Sequence, residues 1–220
     1  MKLVLASGSQ RRRELLTMCG YDYEIIVSNA DETIDESDPE SFVRALSFRK
    51  AKEVFDRLFA AGRREFAVIG SDTVVAFQKE GEAKPAIIGK PKDAEDAVRI
   101  LSMLSGKTHR VFTGVSVIAD IPDENAAAQC SIREKAEIQT ECSITEVTFE
   151  TLSPDEITDY VNSGDPLDKA GSYGIQGPFG MFVREIRGNY FTVIGMPIPV
   201  LYKMLKKIGI LPHGFYERIE

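Results

Sequence analysis

Leu5-Ala6-Ser7-Gly8-Ser9-Gln10-Arg11-Arg12-Arg13-Glu14-Leu15-Leu16 (residues 5–16) carries the chain from an apolar segment, through a tight Ser-Gly-Ser turn, into a helix. Leu3 to Ala6 reads as a buried first strand, and Ser9 as an N-cap for a helix that runs to about Cys19 and stops at Gly20. Arg11, Arg12 and Arg13 then fall in the first turn. Free N–H groups and the helix dipole already favour an anion there. Three arginines are the wrong charge for that position unless a ligand with several negative charges sits against them. A basic helix start paired with nearby acids is the other reading of the same residues.

Outward from this stretch, strands and helices alternate. Tyr21 to Val27 reads as a strand, and Asn29 to Pro39 as an acidic loop with Asp31, Glu32, Asp35, Glu36 and Asp38. Pro39 starts a long helix to about Ala61. On it Val43, Leu46, Lys50 and Val54 share one face, so Lys50 either snorkels at the stripe's edge or points into a cleft. Phe66 to Gly70 is a strongly apolar strand that meets Ser71-Asp72-Thr73 before Val74 to Phe77. An unpaired carboxylate inside such a run is costly, which predicts that Asp72 lies at a sheet edge or strand end and has a function. Gln78 to Ala86 reads as a hairpin turn, and Asp93 caps a helix with Val98, Leu101 and Leu104 on its inner face. Arg110 to Ala119 alternates as a strand, 121–125 as a turn, and Ser131 to Phe149 as strand-like pieces. Ser153-Pro154-Asp155-Glu156 starts another helix. Phe179 to Ile186 and Tyr190 to Ile194 read as strands, and Gly195-Met196-Pro197 opens a last helix with Val200, Leu201, Leu205 and Ile208 inward. The glycine-rich run Gly171-Ser172-Tyr173-Gly174-Ile175-Gln176-Gly177 either approaches a ligand closely or is a folded hairpin loop. The expected fold is mixed α/β: one domain over 1–220, an elongated twisted sheet flanked by helices, and two lobes around a central cleft.

The 220 residues are 43% hydrophobic and 28% charged, ordinary for a globular protein, with net charge -7. That charge argues against nucleic acid or an acidic membrane as partner. No apolar run reaches the roughly 18 residues of a membrane span, and the start lacks a secretory pattern. Cys19, Cys130 and Cys142 are widely spaced without a C-x-x-C, which points to a reducing compartment, so a cytoplasmic location is expected. His109 and His213 are too few for a histidine metal site.

Three motifs in order, residues 5–16, Gly70 to Val75 with Gly89-Lys90-Pro91, and Asp168 to Gly177, resemble the Maf family, the septum-formation-protein homologues. Leu104-Ser105-Gly106, His109, Val111 and Gly195-Met196-Pro197 fit the same pattern. The resemblance implies a Maf/ITPase-like fold and a nucleoside triphosphate pyrophosphatase that cuts the α–β bond with a divalent cation, Mg²⁺ or Mn²⁺. The loop from Asp168 to Gly177 is similar to that of the subgroup acting on dTTP, UTP and some modified pyrimidine nucleotides. A 7-methyl-GTP enzyme and a nucleotide-binding regulator of division are the alternatives. By resemblance Asp72 is the catalytic acceptor of a proton. Arg11, Thr73 and Gln176 select the pyrimidine, and Ser7, Arg12, Glu32, Lys50 and Lys90 are further site positions. Ser7, Arg11, Arg12, Lys50 and Lys90 suit the phosphates, while Glu32 and Asp72 suit the metal. The family's habit of dimerising leaves a homodimer open. The chain departs from the pattern at Gln10, where proline is usual, and at Ser71, where alanine is usual; Arg13 lies beyond the family's arginine pair.

Overall fold

A computed structural model describes residues 1–79, 81–121 and 136–214. The strands are β1 (Lys2–Leu5), β2 (Glu24–Ile25), β3 (Phe66–Phe77), β4 (Ala86–Ile88), β5 (Thr108–Asp120), β6 (Ala136–Phe149) and β7 (Val183–Arg187). The α-helices are α1 (Gln10–Met18), α2 (Pro39–Ala60), α3 (Ala94–Leu104), α4 (Pro154–Asn162), α5 (Tyr190–Ile194) and α6 (Ile198–Lys207). One mixed sheet runs β2-β1-β3-β5-β6-β7, with β4 also paired to β3. β1 is parallel to β2 and β3, and the other pairings are antiparallel. No helix among the described residues is long and apolar enough to cross a membrane.

The long ladder of β3, β5 and β6 is the spine. Alternation along β3 sorts its side chains between two faces. On one face Ala67 and Ile69 join Leu3, Leu5, Leu15, Leu16, Leu201 and Leu205, so α1 and α6 cover that end. Further along the same face Val75 and Phe77 join Ile100, Leu101, Leu104, Ile157 and Tyr160, so α3 and α4 cover the other end. Ser71 and Thr73 lie between these two apolar clusters. The opposite face belongs to α2, whose Val54 and Phe55 pack on Phe66 and Val68 and whose Val43 packs on Val74 and Ala76.

α2 lies unusually close to the sheet because two glycines make room. A Cβ on Gly70 would stand 2.2 Å from Ser47 O, and one on Gly114 2.2 Å from Val43 O. Ser47 Oγ bonds Ser116 Oγ at 2.9 Å in the same trench. This contact between backbones sets where Lys50 can reach.

Two of the capping signals behave as read. The Asp93 carboxylate accepts from Asp96 N at 2.8 Å, and Ser153 with Glu156 forms a capping box. Asp38, just before Pro39, caps α2 by accepting from Ser41 N at 2.9 Å. Several expectations are corrected. Ser9 occupies the N-cap position of α1, but its hydroxyl caps nothing. The strand read over Tyr21 to Val27 contracts to β2, because its partner β1 ends at Leu5. The strand-like pieces up to Phe149 form one strand from Ala136, paired to β5 over its whole length; Ser131 to Lys135 and most of the turn at 121–125 fall outside the described residues, as do Glu80 and Cys130. Pro178–Phe182 is 3₁₀ helix, and the strand begins only at Val183. Tyr190 to Ile194 is helical despite its aromatic and β-branched residues. Asn189 accepts from Phe191 N at 2.8 Å, and Thr113 donates to Thr192 O at 2.7 Å, so capping and a tertiary bond override propensity.

Candidate active site

The site forms where β3 lacks a neighbour. On the side away from β5, β1 pairs with β3 up to Ile69, and β4 pairs with it only from Val75. Between those points one flank of β3 is open, and Asp72 lies at its middle. Asp72 is therefore in a central strand, paired through Gly114 to β5, and not at a sheet edge or strand end as expected. The gap does the same physical work, because it opens the strand to the cleft.

That cleft has a volume of about 1310 Å³, above the usual range for small-ligand pockets. Ser7, Arg11, Arg12, Glu32, Lys50, Asp72, Thr73, Lys90 and Gln176 all line it. Since neighbouring residues of a strand face opposite ways, Asp72 and Thr73 open onto different walls.

The wall under α2 is charged. Lys50 Nζ donates to Asp72 Oδ1 at 2.7 Å and meets Glu32 Oε1 at 3.0 Å. The side chains of Lys50 and Asp72 are each 12% exposed, whereas Glu32 is 66% exposed. Lys50 therefore points into the cleft, which settles the two readings of its place on the stripe. A largely buried ion pair between a helix and a strand recovers little net stability after desolvation, so stability alone does not account for it.

The other wall is held by Arg12. Its Nε donates to Gly195 O at 2.8 Å, Nη1 to Ser7 Oγ at 3.1 Å and Nη2 to Thr73 Oγ1 at 3.3 Å. Three of its five donors are thus committed to the protein. Loss of hydration lowers its pKa from the usual guanidinium value, and Asp72 opposes that shift. Thr73 Oγ1 continues the chain to Thr113 Oγ1 at 3.0 Å. Ser71, on the same face, bonds Gly114 O at 2.9 Å and Gly195 O at 3.0 Å. The hydroxyl that departs from the family's alanine is therefore satisfied. Gln10, in place of proline, bonds Glu14 Oε1 at 2.8 Å and supports α1 from its first turn.

Ser7 Oγ accepts from Ser9 N at 3.2 Å, and no side chain caps the first turn of α1. Its N–H groups remain available. Arg11 pairs with Asp168 at 3.3 Å across the mouth. Among the described residues, Lys90 and Gln176 have no side-chain partner and are exposed in the cleft. Arg13 also lines the cleft, with a buried Nε that has no partner.

In the glycine-rich run only Gly171 and Ser172 belong to a 3₁₀ turn, Ala170–Ser172; Tyr173 to Gly177 are irregular, with the 3₁₀ turns Asp165–Asp168 and Pro178–Phe182 on either side. Gly171 has φ +72, and a Cβ there would stand 2.6 Å from Val75 Cγ2. Sequence reasoning gave no role to Lys169, yet it also lines the cleft. It bonds Asp165 O at 2.6 Å, Asp165 Oδ1 at 3.0 Å and Asp168 Oδ1 at 2.7 Å. Its i,i+4 spacing from Asp165 was the available signal.

A second pair escaped the sequence because its members are 64 residues apart. His109 Nε2 and Tyr173 OH lie 3.0 Å apart in an aromatic cluster with Phe149 and Phe179. They tie β5 to the glycine-rich run. Burial pushes the His109 pKa down to about 3. Its folded-state pKa lies below the unfolded value, so its contribution to stability is present above about pH 6.5 and is lost as pH falls. Between about pH 6.5 and 4.5 stability is expected to fall by up to about 1.4 kcal/mol per pH unit. Carboxylates held at low pKa, such as Asp96 through the Lys92 N–H, add their own loss only at lower pH. Denaturant unfolding across that window reads the slope. His109→Gln should flatten it, and an unchanged slope in the variant would contradict the assignment.

Glu32 and Asp72 are the two carboxylates expected from the sequence to meet a divalent cation. Both carboxylates converge on one Lys50 nitrogen, and both offer hard oxygen donors. Among the described residues no three His, Cys, Asp or Glu side chains cluster for a metal. One or two carboxylates completed by substrate phosphates is the donor set that suits Mg²⁺.

Comparison with known proteins agrees with this architecture. The family model described as Maf-like protein matches residues 2–208. The dTTP/UTP pyrophosphatase of Agathobacter rectalis is 40% identical over 217 residues, covering 95% of this chain and 98% of that protein. The dTTP/UTP pyrophosphatase of Bacillus thuringiensis is 42% identical over 210 residues, covering 95% and 96%. The structure of the Staphylococcus aureus Ham1 protein superimposes with a TM-score of 0.50 at 16% identity, covering 94% of this chain and 99% of that one, a likeness of fold alone. With its family model spanning both walls of the cleft, this chain belongs to the Maf family.

Proposed function

We propose that the chain is a nucleoside triphosphate pyrophosphatase that hydrolyses the α–β bond of dTTP or UTP to the monophosphate and pyrophosphate. The observation that carries this reading is the Lys50–Asp72 pair, set at 2.7 Å in the open flank of β3 and facing a turn built for an anion. The names of relatives at 40% and 42% identity support the same substrates.

The uncapped N–H groups of α1, with Ser7, Arg11 and Lys90, bind the phosphate chain. Arg12 holds the wall together through Gly195, Ser7 and Thr73 and has donors to spare. Asp72 orients the attacking water and takes its proton at a carboxylate oxygen. An ordinary carboxylate is a weak base towards water. Glu32 and Asp72 would hold a divalent cation, Mg²⁺ or Mn²⁺, which when bound would supply Lewis acidity and neutralise phosphate charge. Lys50 fixes the direction of both carboxylates until substrate arrives. Gln176 offers a donor and an acceptor to a pyrimidine edge, and Thr73 limits the base pocket.

Product analysis over dTTP, UTP, CTP, dATP and 7-methyl-GTP with Mg²⁺ tests the reading. Pyrophosphate from dTTP and UTP in clear preference is the expected result. A preference for 7-methyl-GTP would overturn the base assignment. Tight nucleotide binding without any product would replace the enzyme by a nucleotide-binding regulator.

A further inference from the structure

The outer face of α2 carries Arg49, Glu53 and Arg57, each four residues after the last and so in one row along the helix. Each takes hold of the backbone of the irregular segment 27–33. Arg57 Nη2 donates to Val27 O at 3.0 Å, and Glu53 Oε2 accepts from Asn29 N at 3.0 Å. Arg49 Nη1 donates to Asp31 O at 2.9 Å and to Thr33 O at 2.8 Å. Arg57 also meets Glu53 Oε1 at 3.4 Å, which braces the row. The two carbonyls held by Arg49 flank Glu32, the residue whose carboxylate reaches Lys50. Asp31 Oδ1 closes the same turn by accepting from Thr33 N at 2.9 Å.

The segment has no helix or strand of its own at these residues, and the Glu32 side chain is largely exposed. Neither the sheet nor the core fixes the glutamate. A long exposed side chain on an irregular backbone samples many directions, and holding it on one target costs entropy. Hydrogen bonds with an ionised donor or acceptor are the stronger kind, and here four of them grip seven residues of backbone.

We propose that Arg49, in line with the Glu53–Arg57 brace, is a positioning residue that holds the Asp31 and Thr33 carbonyls so that Glu32 stays directed at the Lys50–Asp72 pair. This rests on the reading of the cleft as a triphosphate-hydrolysing site in which Glu32 takes part. The long helix then serves the site twice. Its inner face delivers Lys50, and its outer row delivers Glu32.

A double-mutant cycle on the full chain tests this. Wild type, Arg49→Ala, Glu32→Gln and the double variant are compared by amide hydrogen exchange over residues 28–34 and by pyrophosphate release from dTTP at varied Mg²⁺. Arg49→Ala should speed exchange in that segment and lower kcat/KM by about tenfold, but change nothing further once Glu32 is Gln. Arg49→Lys should recover part of the loss. Unchanged exchange in Arg49→Ala, or an equal loss in both backgrounds, would overturn the proposal. A wild type that releases no pyrophosphate from any triphosphate overturns the reading of the site instead, and the exchange measurement still decides whether Arg49 holds the segment.

Discussion

Asp72→Asn is expected to lower kcat for dTTP and UTP by roughly 10³-fold, the usual scale for removing a positioned acid–base group. Asparagine keeps the shape and an acceptor oxygen for Lys50 Nζ, now 2.7 Å from Oδ1. It loses the charge and the ability to take a proton. The turn proposed to bind the phosphates lies on other elements, so KM should move far less than kcat. Lys50 keeps Glu32 as a partner, which limits the damage of leaving a largely buried ammonium without its carboxylate. Steady-state pyrophosphate release, with circular dichroism as the check on folding, separates the outcomes. Retained kcat with a raised KM would make Asp72 a binding residue only.

Gly114→Ala should be among the most damaging changes outside the charged groups. A Cβ there would meet Val43 O at 2.2 Å, Val43 C at 2.5 Å and Arg44 N at 3.0 Å. All three are backbone atoms of α2, so no side-chain rotation relieves the clash and the helix must lift. Overpacking of this kind costs about 3 kcal/mol, which lowers Tm by roughly 10 °C in a chain of this size. The same movement carries Lys50 away from Asp72, and Gly114 is the direct register partner of Asp72 on β5. A shift of about an ångström in a catalytic group costs on the order of 10²-fold in rate. Thermal melting and kcat are measured on the same preparation. A Tm within about two degrees of wild type, with full activity, would show that α2 does not depend on this close approach.

The sequence was most legible where a local rule acts over a few residues. The caps at Asp93 and Ser153 and the mixed α/β order are of this kind. Lys50 on the apolar stripe of α2 was visible as an oddity, although its target was not. Asp72 stood out because a carboxylate interrupts an apolar run. Its setting did not, because the open flank of β3 exists only through the lengths of β1 and β4, which local sequence does not specify. Tyr190 to Ile194 misled through propensity, since its helix depends on Asn189 and on a bond from Thr113 on another strand. His109 with Tyr173, and Arg49 with the carbonyls beside Glu32, are pairings between distant or irregular segments. No periodicity announces them.

Asp72 directing water at the α-phosphorus is the centre of the account, and hydrolysis in ¹⁸O-labelled water tests it most directly. Wild type incubated with dTTP and Mg²⁺ should place the label in the monophosphate and none in the pyrophosphate, with Asp72→Asn producing neither at a comparable rate. Label in the pyrophosphate, orthophosphate as the first product, or undiminished labelling of the monophosphate by Asp72→Asn would contradict it.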